Sequence, residues 1–197
     1  MNIILASNSK RRREILDSCG IKHRVVPSNA TEYMTISRIP EQVAMINARI
    51  KGEAVSKKFK SGYVIGADTV VLLGSKIIGK PKNASHAKKM LKEMSGKTIS
   101  IYTGLCVIDV KKKNFISDYE KSFVTVKKLK NKDIPKYFKL LGPYDKAGGF
   151  SIEGVGSFIF DDIIGSYFNV LGLPTAKLRE MFEKLGVDIL KQLRPDV

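Results

Sequence analysis

Strand-like and helix-like segments alternate from one end of this chain to the other, with no internal repeat, low-complexity tract or linker-like composition between them. That pattern reads as one α/β unit. An apolar strand, Asn2-Ile3-Ile4-Leu5-Ala6, leads into a helix from Lys10 to Cys19 that Gly20 closes, and a short strand is expected at His23 to Pro27. Pro40 opens an amphipathic helix toward Lys57, with Val43, Ile46, Ile50 and Ala54 on its apolar face. Tyr63 to Leu73 is a strand, turned back by Gly74-Ser75 into Lys76-Ile77-Ile78. A helix from Ala84 to Met94 buries Ala87, Met90, Leu91 and Met94 and stops at Gly96. Two β-rich segments follow, Ile99 to Val110 and Asn114 to Lys127. Helices are then expected at Ile134 to Leu141 and Pro174 to Leu185, and the glycine- and aromatic-rich stretch between them is left unassigned.

Length and composition bound the class. A chain of 197 residues, 43% hydrophobic, supports a core that needs no staples. No apolar run approaches the roughly 20 residues that span a bilayer, and the first residues reach Asn8 too soon for a signal sequence. The reading is a soluble, cytoplasmic protein that does not engage a membrane. Cys19 and Cys106 lack metal-ligand spacing and sit among apolar neighbours, so packing is the expected role and a disulfide is not expected. The net charge of +16 invites a nucleic-acid hypothesis. The cations are mostly lysine, in scattered groups such as Lys57-Lys58, Lys111-Lys112-Lys113 and Lys127-Lys128. Readers of bases lean on arginine gathered on one element, so solvated surface is the favoured account.

Three places carry chemistry. The first is Ser7-Asn8-Ser9 followed by Lys10-Arg11-Arg12-Arg13 at a helix start. Cations there oppose the helix dipole. Free N–H groups, the Ser7 and Ser9 hydroxyls and the guanidiniums would together cradle a polyphosphate, and the alternative is a solvated basic turn. The second is Asp68, which interrupts an otherwise apolar strand. A buried carboxylate must be paired, hydrogen-bonded or holding a metal, and Gly66 and Ala67 beside it leave room for a ligand to approach. The third is the pair of loops Gly79-Lys80-Pro81 and Tyr144 to Gly154. The hairpin brings Lys80 toward the Asp68 end of the sheet, and the glycines of the second loop suit close approach of backbone to a ligand.

In order along the chain, Leu5-Ala6-Ser7-Asn8-Ser9 with Arg11-Arg12, Glu32, Asn47-Ala48-Arg49-Ile50-Lys51, Gly66-Ala67-Asp68-Thr69-Val70-Val71, Gly79-Lys80-Pro81, Ser95-Gly96-Lys97 with Tyr102-Thr103-Gly104, Asp145-Lys146-Ala147-Gly148 and Gly165-Ser166-Tyr167-Phe168-Asn169-Val170-Leu171-Gly172-Leu173-Pro174 resemble the Maf family of nucleotide pyrophosphatases. These are septum-formation-inhibitor-like proteins related to inosine triphosphate pyrophosphatase. The resemblance covers essentially residues 1–197. It implies a single elongated α/β domain whose mixed, curved sheet is flanked by helices forming two lobes around a central cleft. It also implies hydrolysis of a nucleoside triphosphate between the α and β phosphorus atoms, to a monophosphate and pyrophosphate, with Mg²⁺ or Mn²⁺. Homodimers, a cytoplasmic location, removal of non-standard nucleotides and a link to septum formation go with the family.

Carried over by position, the resemblance implies that Ser7, Ser9, Arg11, Arg12, Lys51 and Lys80 meet the phosphates. Glu32 and Asp68 would hold the metal, with Asp68 also the general base, and Asp145 and Lys146 are further candidates in the cleft. A triphosphate brings about four negative charges, which calls for such a cationic set, and carboxylates suit a hard divalent ion. Arg11, Thr69 and Glu153 are the specificity positions. Arg11, Thr69 and Lys146 look like the dTTP/UTP type. Glu153 departs from it, since that type usually has Gln there and the 7-methyl-GTP type has Glu. An ionised Glu only accepts hydrogen bonds, which suits guanine donors. Lys10 also replaces the usual proline, and Ile99 a frequent histidine. The expectation is therefore a dTTP/UTP-preferring pyrophosphatase, with 7-methyl-GTP hydrolysis as the alternative. The alternative of another class is a basic nucleic-acid-binding or cell-division regulator without catalysis. A P-loop enzyme is disfavoured because no Gly-x-x-x-x-Gly-Lys-Ser/Thr run occurs.

Overall fold

A computed structural model describes residues 1–33, 39–141, 144 and 148–193. Its elements, in chain order, are β1 (Ile3–Ala6), α1 (Lys10–Ser18), β2 (His23–Val25), α2 (Pro40–Ser56), β3 (Tyr63–Leu73), β4 (Lys76–Ile78) and α3 (Ala84–Met94). They continue with β5 (Thr98–Asp109), β6 (Asn114–Val126), α4 (Ile134–Leu140), β7 (Phe160–Ile164), α5 (Tyr167–Val170) and α6 (Thr175–Lys184). The expected elements are present. The stretch left unassigned holds a 3-10 turn at Gly154–Phe158, then β7 and α5.

One mixed, seven-stranded sheet runs through the molecule in the order β2-β1-β3-β5-β6-β7, with β4 also paired to β3. The strands β2, β1 and β3 are parallel to one another, and β3, β5, β6 and β7 form an antiparallel run. Strand β5 pairs with β3 from Tyr63 to Leu73, so β1 and β4 must share the opposite edge. There β1 covers Tyr63 to Gly66 and β4 covers Val71 to Leu73. Residues 67–70 lie in the gap between them, with no strand partner on that edge among the described residues.

Side chains alternate across this sheet. Ile3, Leu5, Ile65, Ala67, Val71, Ile101, Leu105 and Val107 enter a large core completed by Leu16 of α1, Leu91 of α3 and Phe182 of α6. The opposite pleats, Ile4, Ala6, Val64 and Cys106, join a smaller core with Ala48 and Val55 of α2. Val70, Leu72 and Tyr102 pack with Val43 and Ala44 of the same helix. Helix α2 therefore has one face of the sheet largely to itself.

The face that α2 turns to the sheet differs from the expected one. Val43, Ala44, Asn47, Ala48, Gly52 and Val55 are buried, whereas Ile46, Ile50 and Ala54 are half-buried. The reason is the sheet beneath. Gly66 and Gly104 present no side chain, and a Cβ at either would run into the backbone of Ala48 or Ala44. Small residues on the helix meet glycines on the strands, and the two backbones come into contact. This also corrects the expected role of Gly66, whose space is filled by the helix rather than kept for a ligand. Both cysteines are free. Burial pushes the Cys106 thiol up to about 11, as befits a packing residue.

Candidate functional site

Asp68 lies on the α2 face of β3, opposite Gly104, and is 9% exposed. Because α2 lies so close, two of its polar residues reach the carboxylate. Lys51 Nζ donates to Asp68 Oδ1 at 2.6 Å, and Asn47 Nδ2 donates to Oδ2 at 3.2 Å. Residues 47 and 51 are one helical turn apart and share a face. The same ammonium pairs with Glu32 Oε1 at 2.7 Å. Asn47 also pins the segment that carries Glu32: its Oδ1 accepts from the Tyr33 N–H at 2.6 Å, and its amide donates to the Tyr33 carbonyl at 3.2 Å. The hydrogen bond from Lys51, followed by its charge and those of Lys80 and Arg12, holds the Glu32 carboxyl below the usual range against the opposing effect of burial.

Two carboxylates from separate segments thus converge on one cation. No cluster of three or more His, Cys, Asp or Glu residues suited to a metal occurs among the described residues. That set still fits a magnesium-type ion, which takes one or two carboxylates and draws its other oxygens from water and substrate phosphates. Glu32 and Asp68 are the residues that would hold it.

Arg12 crosses from α1 to the uncovered edge of β3. Its Nη1 donates to the Ala67 carbonyl at 2.9 Å and to Ser7 Oγ at 3.4 Å. Its Nε donates to the Gly172 carbonyl at 2.8 Å and its Nη2 to Thr69 Oγ1 at 3.0 Å. Burial lowers its pKa, and Asp68 and Glu32 oppose that shift. Four of the five donors of the guanidinium are taken by protein, which leaves one for a phosphate. Arg12 fills the break in the sheet edge. The hydroxyls expected at the phosphates are engaged as well. Ser9 caps α1 by accepting from the Arg12 N–H, and Ser7 Oγ accepts from the Ser9 N–H at 3.1 Å.

Arg11 turns the other way. Its Nη2 lies 2.7 Å from Glu153 Oε2 and donates to Ser151 Oγ at 2.8 Å. Ser151 Oγ in turn donates to Glu153 Oε2 at 3.2 Å. Arg11, in the first turn of α1, and Glu153, just before the 3-10 turn, two of the three expected specificity positions, are therefore a direct ion pair. Thr69, next to Asp68, points to the opposite face of the sheet and bonds Arg12 and Thr103. Lys80 is exposed beyond β4, with its charge felt at Glu32. Gly149 closes on the neighbouring Pro81, which brings the two loops together. Asp145 and Lys146 lie outside the described residues.

Asn47, Thr103, Ser151 and Gly172 are participants to which the sequence reading gave no role. Asn47 had a signal, a polar residue one turn before Lys51. Thr103 acts through strand register, Gly172 through its backbone carbonyl and Ser151 through a hydroxyl that meets Arg11 from a distant segment, contacts that no local pattern announces.

The lysine groups at 57–58, 111–113 and 127–128 are all exposed, in keeping with a solvated surface. No helix among the described residues is long and apolar enough to cross a membrane.

Residues 2–185 match the family described as Maf-like protein. The chain is similar to a dTTP/UTP pyrophosphatase of Caldicellulosiruptor saccharolyticus, 41% identical over 193 residues that cover 96% of this chain and 97% of the relative. It is similar to proteins of the same name from Clostridioides difficile, at 38% identity over 93% of this chain and 95% of the relative, and from Bacillus cereus, at 37% over 95% and 97%. Among solved structures, the Staphylococcus aureus Ham1 protein shares the fold with a TM-score of 0.53 at 13% identity, covering 94% of this chain and all of that one.

Proposed function

The chain belongs to the Maf family, and from that premise we propose that it is a nucleoside triphosphate pyrophosphatase with a preference for dTTP and UTP. The observation that carries the proposal is the meeting of Asp68, Glu32 and Lys51 where α2 crosses the sheet. Curated relatives named dTTP/UTP pyrophosphatase at 37–41% identity support the substrate class.

In this reading a water attacks the α phosphorus and one Asp68 carboxylate oxygen takes its proton. The new P–O bond forms as the bond from the α phosphorus to the bridging oxygen breaks, and pyrophosphate leaves with that oxygen's charge. Asn47 holds the second carboxylate oxygen, so the base keeps one orientation. Lys51 stands between the carboxylates and supplies positive charge for the incoming phosphates, and Lys80 meets the charge that builds on the leaving group. Arg12 fixes Ser7, Thr69 and the Gly172 carbonyl relative to one another, and the pair of Arg11 and Glu153 lies on the side of the base. A divalent ion held by Glu32 and Asp68 would neutralise phosphate charge and lower the pKa of water. The biological role in this reading is clearance of unwanted nucleotides in the cytoplasm.

A second reading, hydrolysis of 7-methyl-GTP, rests on Glu153, whose carboxylate accepts hydrogen bonds and cannot donate one when ionised. The deciding experiment is a nucleotide panel assayed for pyrophosphate and orthophosphate, with Mg²⁺, with Mn²⁺ and with chelator. Pyrophosphate from UTP and dTTP, lost with chelator, is the expected result. Orthophosphate as the primary product would reject the pyrophosphatase, and 7-methyl-GTP as best substrate would reject the pyrimidine preference.

A further inference from the structure

Thr69 and Thr103 face each other in register across β3 and β5, with their hydroxyl oxygens 3.0 Å apart. Arg12 Nη2 donates to Thr69 Oγ1 from one side at 3.0 Å. On the other side, Thr103 Oγ1 lies 3.1 Å from the Asn169 carbonyl. A guanidinium only donates, a carbonyl only accepts, and each hydroxyl has one hydrogen and two lone pairs. One assignment satisfies all four groups. Thr103 donates to the Asn169 carbonyl, Thr69 therefore donates to Thr103, and Thr69 accepts from Arg12.

The end of this chain of bonds is firmly held. Asn169 is fully buried, and its amide donates to the Ile101 carbonyl at 3.2 Å and to Ser122 Oγ at 2.9 Å. Thr103 is fully buried as well, so no water competes for its hydrogen. Thr69 is part-exposed. Gly172, at φ +95°, sets no side chain against the hydroxyl of Thr69, where a Cβ would stand 3.2 Å from Thr69 Oγ1. What Thr69 retains for a ligand is one lone pair and no hydrogen.

We propose that Thr103 is a positioning residue that fixes the polarity of Thr69 and so selects uracil and thymine against cytosine. The proposal rests on the reading that Thr69 helps to choose the base. Uracil and thymine carry a hydrogen on N3, which an acceptor can take. Cytosine has a lone pair on N3, which would face the lone pair of Thr69. A site whose polar groups are left unpaired by the wrong base rejects that base strongly.

The test compares kcat/KM for pyrophosphate release from UTP and CTP in the unmodified protein, Thr103→Val and Thr103→Ser. The unmodified protein is expected to favour UTP by about 10- to 100-fold, the range for a mispaired buried polar group. Thr103→Val frees the Thr69 hydroxyl to donate and brings the two nucleotides close to parity, and Thr103→Ser keeps the preference. In a Thr69→Val background, Thr103→Val should leave the ratio unchanged. An unaltered ratio in folded Thr103→Val overturns the proposal, as does an equal shift in the Thr69→Val background. Thr103→Ala takes the place of Thr103→Val if the latter does not fold. Loss of selectivity in folded Thr103→Ser overturns the proposal on its own.

Calorimetric binding of UTP and CTP to the same proteins, in chelator, reads the ratio without turnover. Selective UTP binding through Thr103 without pyrophosphate release would reject the proposed function and keep this inference. Pyrophosphate release from the unmodified protein with no preference between UTP and CTP would do the reverse, and a protein that binds neither nucleotide loses both.

Discussion

Asp68 sits directly opposite Gly104 on the neighbouring strand, and the missing side chain at Gly104 is what lets α2 lie close enough for Lys51 to reach the carboxylate. The polar contacts at Asp68 are thus a product of backbone packing between a helix and two strands.

Gly104→Ala and Gly66→Ala each place a methyl group against helix backbone that has no flexible end to yield. Each is expected to lower stability by about 1–3 kcal/mol or more, as overpacking does. Activity should fall with it, because Asn47 and Lys51 ride on the displaced helix. Denaturant melts and pyrophosphate release measured on the same samples check both effects. Wild-type stability in either variant would contradict the close packing.

Asp68→Asn removes the proton acceptor while keeping the volume. Turnover is expected to drop by about 10²- to 10⁴-fold, the range for loss of a general base, with the fold retained by circular dichroism. Near-normal turnover would take Asp68 out of the mechanism.

The depressed pKa of Glu32 fixes the sign of a pH effect. A carboxylate held below its ordinary value contributes stability that is fully present above about pH 4.3 and is lost as pH falls through the lower folded value. Glu32 is half exposed, so the contribution is screened and small. Lys51→Met removes the first cause of the shift. A carboxyl NMR titration should show Glu32 moving up toward the ordinary value in that variant, and an unmoved titration would mean that Lys51 is not the cause.

Glu153→Gln replaces an acceptor-only group with one that also donates and weakens the pair with Arg11. The kcat/KM ratio among UTP, dTTP, GTP and 7-methyl-GTP is expected to move toward uracil and thymine, with little change in melting temperature. A shift toward 7-methyl-GTP would reverse the role assigned to this position.

Much of this was legible in the residues. The strands, most helices and Asp68 as a carboxylate needing partners follow from apolar patterning and turn chemistry. The packing face of α2 did not, because periodicity selects Ile46 and Ile50 over the Ala44, Ala48 and Gly52 stripe that two strand glycines require. The protein contacts of Arg12 were not legible for a related reason. Its acceptors are the carbonyls of Ala67 and Gly172, and any residue type offers a carbonyl. Strand register decides that Thr69 meets Thr103, and no single segment encodes that.

Asp68 and Thr69 are consecutive, so the pleat sends their side chains to opposite sides of one sheet. Asp68 answers to α2, and Thr69 to α1, β5 and the segment through Gly172. In the proposed reading the backbone between them works as a partition wall, so that substitutions among the partners of Thr69 would alter the choice of nucleotide while leaving the partners of Asp68 in place.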